Sequence, residues 1–390
     1  MIVPVKVKEV GIYKYRIPFC APFRTGVQTL TAREGWIIEL TGLDGTRGYG
    51  EIAPLDGFSV ETLEQTERQI FELAEKLPGL LFQMGRRPSK QECRFPVIKD
   101  LPSDLYPSTC FGLETAIIQL AENMLNKPFP EIISNNPKRQ IPVNALLHTD
   151  IYTDISGIST ITGEVGKLLA SGFKTIKIKV GRKPLMKDIE IVNRTAEMLP
   201  LGVRLRLDAN RLWDFETALK FGKKVDKRCL EYIEEPFAIN NIKQISEFYL
   251  QTGIGVALDE SLDSIISRGV EMPLGVSAFI LKPTLLGGFK RVGEFVALAK
   301  DRRIKPVISS CFEVGPGFTA LLKMAAAIDF DDSASGLDTL KYLERNLLSQ
   351  PVLIENGSIH TTNMTNSQWQ IPNAPGQLDI DFLSILKLEE

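Results

Sequence analysis

Histidine is nearly missing from this chain: its 390 residues include two, His148 and His360, far apart in sequence. A Ser-His-Asp triad, a histidine-rich metal site or a histidine acid/base pair would have to use one of them. The chemistry is therefore expected to rest on Lys, Asp and Glu. Cysteine is sparse too. Cys20, Cys93, Cys110, Cys229 and Cys311 are odd in number, scattered, and form no CxxC pair, which argues against a disulfide framework or a zinc site. Charge of neither sign dominates, with 46 Lys and Arg against 48 Asp and Glu; a nucleic-acid binder would show a basic footprint. No run approaches the roughly 18 uncharged apolar residues of a membrane span. The opening MIVPVKVKEV is broken by charges and reads as no signal peptide. The expectation is a cytoplasmic protein whose partner is a small molecule, with no nucleic acid and no membrane.

What is present is ordinary globular material, 44% hydrophobic and 24% charged, enough for a sizeable core. Residues 1–108 read as an α+β unit. Strand-like alternation runs over residues 6–17 and 34–41, with a turn-rich stretch of lid-loop character near residues 18–30 between them. Asp44-Gly45 marks a hairpin turn. A second lid loop is expected near residues 48–60, and an amphipathic helix from Ser59 through about Lys76. The polar, Pro-containing stretch 86–107 reads as a separator, and residues 110–125 as a helix leading onward.

Residues 109–347 carry a rhythm. Short apolar runs lie at 141–147, 175–180, 204–208, 230–235, 255–260, 278–282 and 305–310, with a weak one at 335–338. Helical patterns at 187–198, 215–225, 242–250, 290–300 and 318–328 fill gaps between them. Alternating strand and helix predicts a parallel α/β sheet. Eight units suit a closed barrel, and no GxGxxG follows the first strand. A bare barrel takes about 250 of the 390 residues, leaving roughly 140 for something else. The fold class is thus α/β, a modified TIM barrel of (β/α)7β type with an N-terminal α+β cap. Residues 348–390, with a strand-like run PVLIENGSIH, are expected to pack back on that cap.

Polar residues fall in step with the strands. Asp208, Glu234, Asp259 and Lys282 end four consecutive runs at intervals of 26, 25 and 23 residues. In barrel enzymes the site lies at the C-terminal ends of the strands. One carboxylate there could simply cap the next helix. Three at one barrel mouth would repel one another unless paired, and oxygen ligands of this kind suit Mg2+, or Mn2+. Upstream, Lys177 and Lys179 alternate with Ile176, Ile178 and Val180, so both lysines share one face. On an edge strand that face would simply be solvated. Inside a barrel, neighbouring cations depress a lysine pKa and make it a usable base. Lys282 sits across the barrel from Lys179. Arg206 shares the face of Asp208, as an organiser of the site or as a structural ion-pair partner.

Lys177-Ile-Lys179, Asp208-Ala-Asn210, Glu234-Glu235-Pro236, Asp259-Glu260-Ser261 and Lys282-Pro283, in order and one βα unit apart, resemble the enolase superfamily over nearly the whole chain. The two-lysine layout looks like the muconate-lactonizing subgroup. Within it, Gly48-Tyr-Gly-Glu-Ile-Ala-Pro-Leu-Asp-Gly-Phe-Ser59, Ser309-Ser-Cys-Phe-Glu313 and Gly336-Leu-Asp-Thr339 resemble the o-succinylbenzoate synthases, with Cys311 and Val314 at serine-like positions. That resemblance implies dehydration of 2-succinyl-6-hydroxy-2,4-cyclohexadiene-1-carboxylate to o-succinylbenzoate, a step of menaquinone biosynthesis. It implies Asp208, Glu234 and Asp259 as ligands of Mg2+, and Lys179 as the base that then protonates the leaving hydroxide. It implies Lys282 as electrostatic support on the opposite face, with Lys177 beside the pair. Ser309, Ser310 and Gly336 are the expected contacts of the succinyl carboxylate. Arg206 and Arg24 are further candidates, and Phe23 and Phe58 could close over the substrate.

Three rivals are open at this stage. Racemisation of N-acylamino acids or epimerisation of dipeptides would use the same two lysines on the same scaffold. A class I aldolase would use Lys179 or Lys282 as a Schiff-base nucleophile but gives the three carboxylates no task. A non-catalytic barrel would need none of them.

Overall fold

The computed structural model describes residues 2–24, 29–86, 95–128, 130–131, 137–149, 156–239, 241–267, 269, 271–328, 330, 333–361 and 380–387. The chain opens with an antiparallel sheet. Strands β1 (Ile2–Arg24), β2 (Thr29–Gly42) and β3 (Arg47–Ile52) pair in a meander, and β4 (Leu81–Arg86) and β5 (Pro96–Lys99) extend it on the other side of β1. The turn between β2 and β3 holds Gly45 at φ +80, as the Asp-Gly pair predicts. Helix α1 (Leu63–Lys76) begins at a capping box. The Thr62 hydroxyl accepts from Gln65 N, and the Gln65 side chain accepts from Thr62 N.

Two expectations about this region are corrected. The first lid loop is mostly strand: β1 runs on to Arg24, and Phe23 sits opposite Leu30 across a register irregularity after Pro18. Turn formers on edge-like ribbons tolerate such a bulge. The supposed separator contains β5, which pairs with β4; residues 87–94 lie outside the described ones.

Helix α2 (Pro107–Leu125) is buried along most of its length and lies against β3. Glycine makes that approach possible. A Cβ at Gly50 would stand 1.8 Å from Gly112 O, and one at Gly48 2.2 Å from Ala116 O. Two short strands, β6 (Gln140–Pro142) and β7 (Ala145–Leu147), follow. From β7 the chain winds a parallel sheet in sequence order through β8 (Thr175–Lys179), β9 (Arg204–Asp208), β10 (Leu230–Glu234), β11 (Val256–Leu258), β12 (Val276–Leu281) and β13 (Lys305–Ile308). Residues 335–336 close the ring. Ser309 bridges Gly336 and Val143 bridges Ser335, both parallel. The weak eighth run is therefore the closure of a (β/α)7β barrel.

Side chains obey the strand alternation. Ile176, Ile178, Leu205, Leu207 and Ile233 are buried outward against the helices. Tyr232, Ala257, Ala278, Ile280 and Val307 form a separate apolar layer inside the barrel. A third cluster joins cap to barrel, with Tyr15, Ile17 and Leu55 from the cap packed on Cys311, Phe312 and Val314.

The C-terminal segment was expected to return to the cap as a whole, but it divides. β14 (Ile354–Glu355) and β15 (Ser358–His360) form a hairpin that pairs with β6, where the chain enters the barrel. Asn356 and Gly357 take the left-handed conformation at φ +50 and +68, the Asn-Gly signature of a tight hairpin turn. β16 (Ile380–Lys387) alone runs antiparallel to β1 of the cap. Among the described residues no helix is long and apolar enough to cross a membrane.

Candidate active site

The inward positions of β8 to β13 end at one cavity of about 150 Å3, a volume on the scale that holds a single benzene-sized ring. Lys177, Lys179, Asp208, Glu234, Asp259 and Lys282 all line it. So do Arg206, Ser309, Ser310 and Gly336, while Phe23, Leu55 and Phe58 of the cap roof it. Arg24 ends β1, and its side chain lies outside the described residues.

Asp208 and Glu234 sit opposite each other on paired strands, and Asp259 follows the next strand. Their exposures are 3%, 3% and 7%, so each charge needs a partner. Lys177 Nζ donates to Glu234 Oε2 at 2.8 Å and lies 2.9 Å from Asp208 Oδ2. Lys282 Nζ pairs with Asp259 Oδ2. Among the described residues no three carboxylate, thiolate or imidazole groups are gathered as a metal would gather them, since Asp208 and Glu234 turn to Lys177 and Asp259 turns to Lys282. The donor set still fits a hard divalent cation: three nearly buried carboxylates on adjacent strand ends, with no sulfur or nitrogen among them.

The three lysines are not equivalent. Burial alone would lower Lys177, but Asp208 and Glu234 outweigh it and hold it well above the usual lysine range. Asp208 in turn is held down at about 2: burial would raise it, and Lys177 and Lys179 oppose that more strongly. Lys282 is likewise kept charged, Asp259 outweighing burial. Lys179 alone of the three has no ion pair among the described residues. The ring centroid of Phe23 lies 5.8 Å from its Nζ. Burial lowers its pKa, Asp208 opposes this, and the cations Lys177, Arg182 and Lys282 lower it further.

The supporting residues explain the motifs. Glu235, at φ +42, turns away from the cavity. Its Oε1 accepts from Asp259 N and Ser261 N, both at 2.9 Å, and its Oε2 from Arg211 Nε at 3.2 Å. The second glutamate of the pair therefore fixes the loop that carries Asp259. Glu51 of the Gly-Tyr-Gly-Glu motif docks the cap. It accepts from Tyr15 OH, Val314 N, Gly315 N and Gly317 N, all within 2.8–3.1 Å.

Two sequence-based expectations change. Arg206 is 1% exposed and already committed. It donates to Glu231 Oε2 and Ala334 O, each at 2.7 Å, and stacks on Tyr232, so it braces the barrel floor beneath the cavity. The Ser310 hydroxyl is also spent: it donates to Glu313 and accepts from Phe312 N and Thr339 Oγ1. Ser309 lines the cavity, and Gly336 leaves its hydroxyl room, since a Cβ there would lie 2.6 Å from Ser309 Oγ.

Other lining residues had no assigned role in the sequence reading. Asn210, Asp338 and Thr339 stand inside motifs already noted, so strand-end position could have found them. Asn144 and Tyr342 carried no such signal. Tyr342 belongs to a single 3-10 turn, Leu340–Tyr342, that only barrel closure brings to the rim.

Comparison with known proteins agrees with this fold. Residues 161–377 match the family model described as enolase C-terminal domain-like, and residues 7–120 that of the MenC N-terminal domain. The o-succinylbenzoate synthase of Pectobacterium atrosepticum is 32% identical over 347 residues, covering 88% of this chain and 94% of its own. A muconate lactonizing enzyme of Pseudomonas fluorescens is similar in fold, with TM-score 0.74 and 18% identity over 92% of this chain and 94% of its own. So is a dipeptide epimerase of Enterococcus faecalis, solved with Mg and a dipeptide, with TM-score 0.74 and 21% identity over 91% of this chain and 97% of its own.

Proposed function

The chain belongs to the o-succinylbenzoate synthase family of the enolase superfamily, and from that premise we propose that its cavity dehydrates 2-succinyl-6-hydroxy-2,4-cyclohexadiene-1-carboxylate to o-succinylbenzoate. The observation that carries the assignment of roles is the inequality of the lysines. A base must be neutral to accept a proton, and Lys179 is the unpaired one with a lowered pKa. It takes the proton from the ring carbon that bears the carboxylate. The ammonium so formed returns a proton to the hydroxyl on the neighbouring ring carbon. One C–H and one C–O bond break on the same face, water leaves, and the ring becomes aromatic.

Asp208, Glu234 and Asp259 would hold Mg2+, which supplies positive charge against the substrate carboxylate where electrons accumulate. Lys177 orients Asp208 and Glu234 through its two ion pairs. Lys282, charged and on the far side of the ring, stabilises developing negative charge. Phe23 and Phe58 exclude water, which strengthens each of these interactions. Ser309 and the backbone at Gly336 are placed to meet the succinyl end.

The epimerase likeness is one of fold at 21% identity, whereas the synthase relative matches at 32% along nearly the whole chain. Assay of the purified protein on the cyclohexadiene, with and without Mg2+, tests the reading. Mg2+-dependent formation of o-succinylbenzoate is expected. Turnover of N-succinylamino acids or dipeptides with none of the cyclohexadiene would replace it.

A further inference from the structure

We propose that Lys341 recognises the distal carboxylate of the substrate, with Asp338 holding its ammonium at the pocket wall; this rests on the dehydration reading above. The cavity has two unlike arcs. The ends of β9 to β12 carry Asp208, Glu234, Asp259 and Lys282, where the ring carboxylate goes. The opposite arc is made by Ser309, Gly336, Asp338, Thr339 and Tyr342. A substrate with a carboxylate at each end needs a cation on that second arc, and none of the described residues lining it is one.

Asp338 by itself would repel the ligand. It lines the cavity, and its side chain is 10% exposed. Lys341 Nζ pairs with Asp338 Oδ2, and its own side chain is 42% exposed. The same ammonium lies 5.3 Å from the ring centroid of Tyr342. Tyr342 lines the cavity and shares a hydrogen bond of 3.1 Å with His148 Nε2. The lysine thus neutralises the one carboxylate on this arc, and its ammonium touches two residues, Asp338 and Tyr342, that line the cavity. Ammonium and carboxylate would make a charge-assisted hydrogen bond there.

The turn that carries Lys341 is anchored to the lid strand. Phe19 bridges Leu343, Glu344 N donates to Pro18 O at 3.0 Å, and Cys20 Sγ lies 3.7 Å from Lys341 O. The strand that brings Phe23 over Lys179 therefore also sets the place of Lys341.

The test compares o-succinylbenzoate with 2-butanoylbenzoate, which replaces the distal carboxylate by a methyl group. Binding of each is measured by calorimetry in Mg2+ to the wild type, Lys341→Gln and Lys341→Arg. Lys341→Gln is expected to weaken o-succinylbenzoate about tenfold and 2-butanoylbenzoate by less than about twofold, as loss of one charge-assisted bond requires. Lys341→Arg should retain most of the affinity, and in turnover KM should rise more than kcat falls. Equal weakening of both ligands by Lys341→Gln, or no effect on either, overturns the proposal. Turnover of the cyclohexadiene by a Lys341→Gln variant with unchanged KM sinks Lys341 alone. A wild type that binds o-succinylbenzoate through Lys341 yet never forms it sinks the dehydration reading alone. A wild type that binds neither ligand overturns both.

Discussion

Lys179 Nζ lies 5.8 Å from the ring centroid of Phe23, so the one of the three cavity lysines that has no ion pair among the described residues is covered by a side chain of the cap. Lys282 stands in the same relation to Phe58, at 5.9 Å. These two lysines are thus roofed by different cap segments, β1 for Lys179 and the loop after β3 for Lys282. Among the described residues the cap gives the cavity apolar cover, from Phe23, Leu55 and Phe58. The barrel places the charges, and the cap removes the water that would weaken them.

A pH prediction follows from this cover. The reactive form of Lys179 is neutral, so kcat/KM should rise with pH through the lysine pKa, which burial and neighbouring cations hold below 10.5. Phe23→Ala admits water and relieves the burial cost of the charged form. The rising limb should therefore move to higher pH, seen in kcat/KM profiles of the two proteins. A limb that stays in place would mean Phe23 does not tune the base.

Metal binding gives a second. Asp208→Asn removes one of the three carboxylates proposed to hold the metal and half of the pairing of Lys177. Activity should fall at least about a hundredfold with thermal unfolding little changed, as loss of a charge-stabilising group predicts. Chelation of the wild type should abolish turnover, and Mg2+ should restore it, with Mn2+ a weaker substitute. Retained activity in chelator would remove the metal from the account.

Cap docking gives a third. Glu51→Ala would strip the acceptor from four donors at once, three of them backbone N–H groups at the start of the helix Pro316–Ala327. The loss should be about 3 kcal/mol or more in urea unfolding, since each buried donor left unpaired costs about 1–3 kcal/mol. Glu51→Gln, which keeps an acceptor oxygen, should lose less. Equal stability of Glu51→Ala and the wild type would show that the apolar cluster alone holds the cap.

Much of this was legible in the sequence because β-strands impose a period of two and barrels place function at strand ends. Lys177, Lys179, Asp208, Glu234, Asp259 and Lys282 could be picked out on that ground. What escaped depends on partners far away in the chain. Nothing local shows that Arg206 is consumed by Glu231 and Ala334, or that the Ser310 hydroxyl is spent on Glu313. The Asn356-Gly357 turn was a readable hairpin signal, but its flanking strands are so short that they look like one run. Tyr342 was invisible because only the closing bridge at Gly336 carries its turn to the rim.

In the proposed reaction Lys179 both removes and returns the proton. The most direct measurement is the rate of o-succinylbenzoate formation by Lys179→Ala against the wild type in saturating Mg2+, with product affinity measured alongside. A rate loss of at least about a hundredfold is expected, since one group supplies both base and acid, with o-succinylbenzoate still bound. A loss under about tenfold, with binding intact, would contradict it and move the proton chemistry elsewhere.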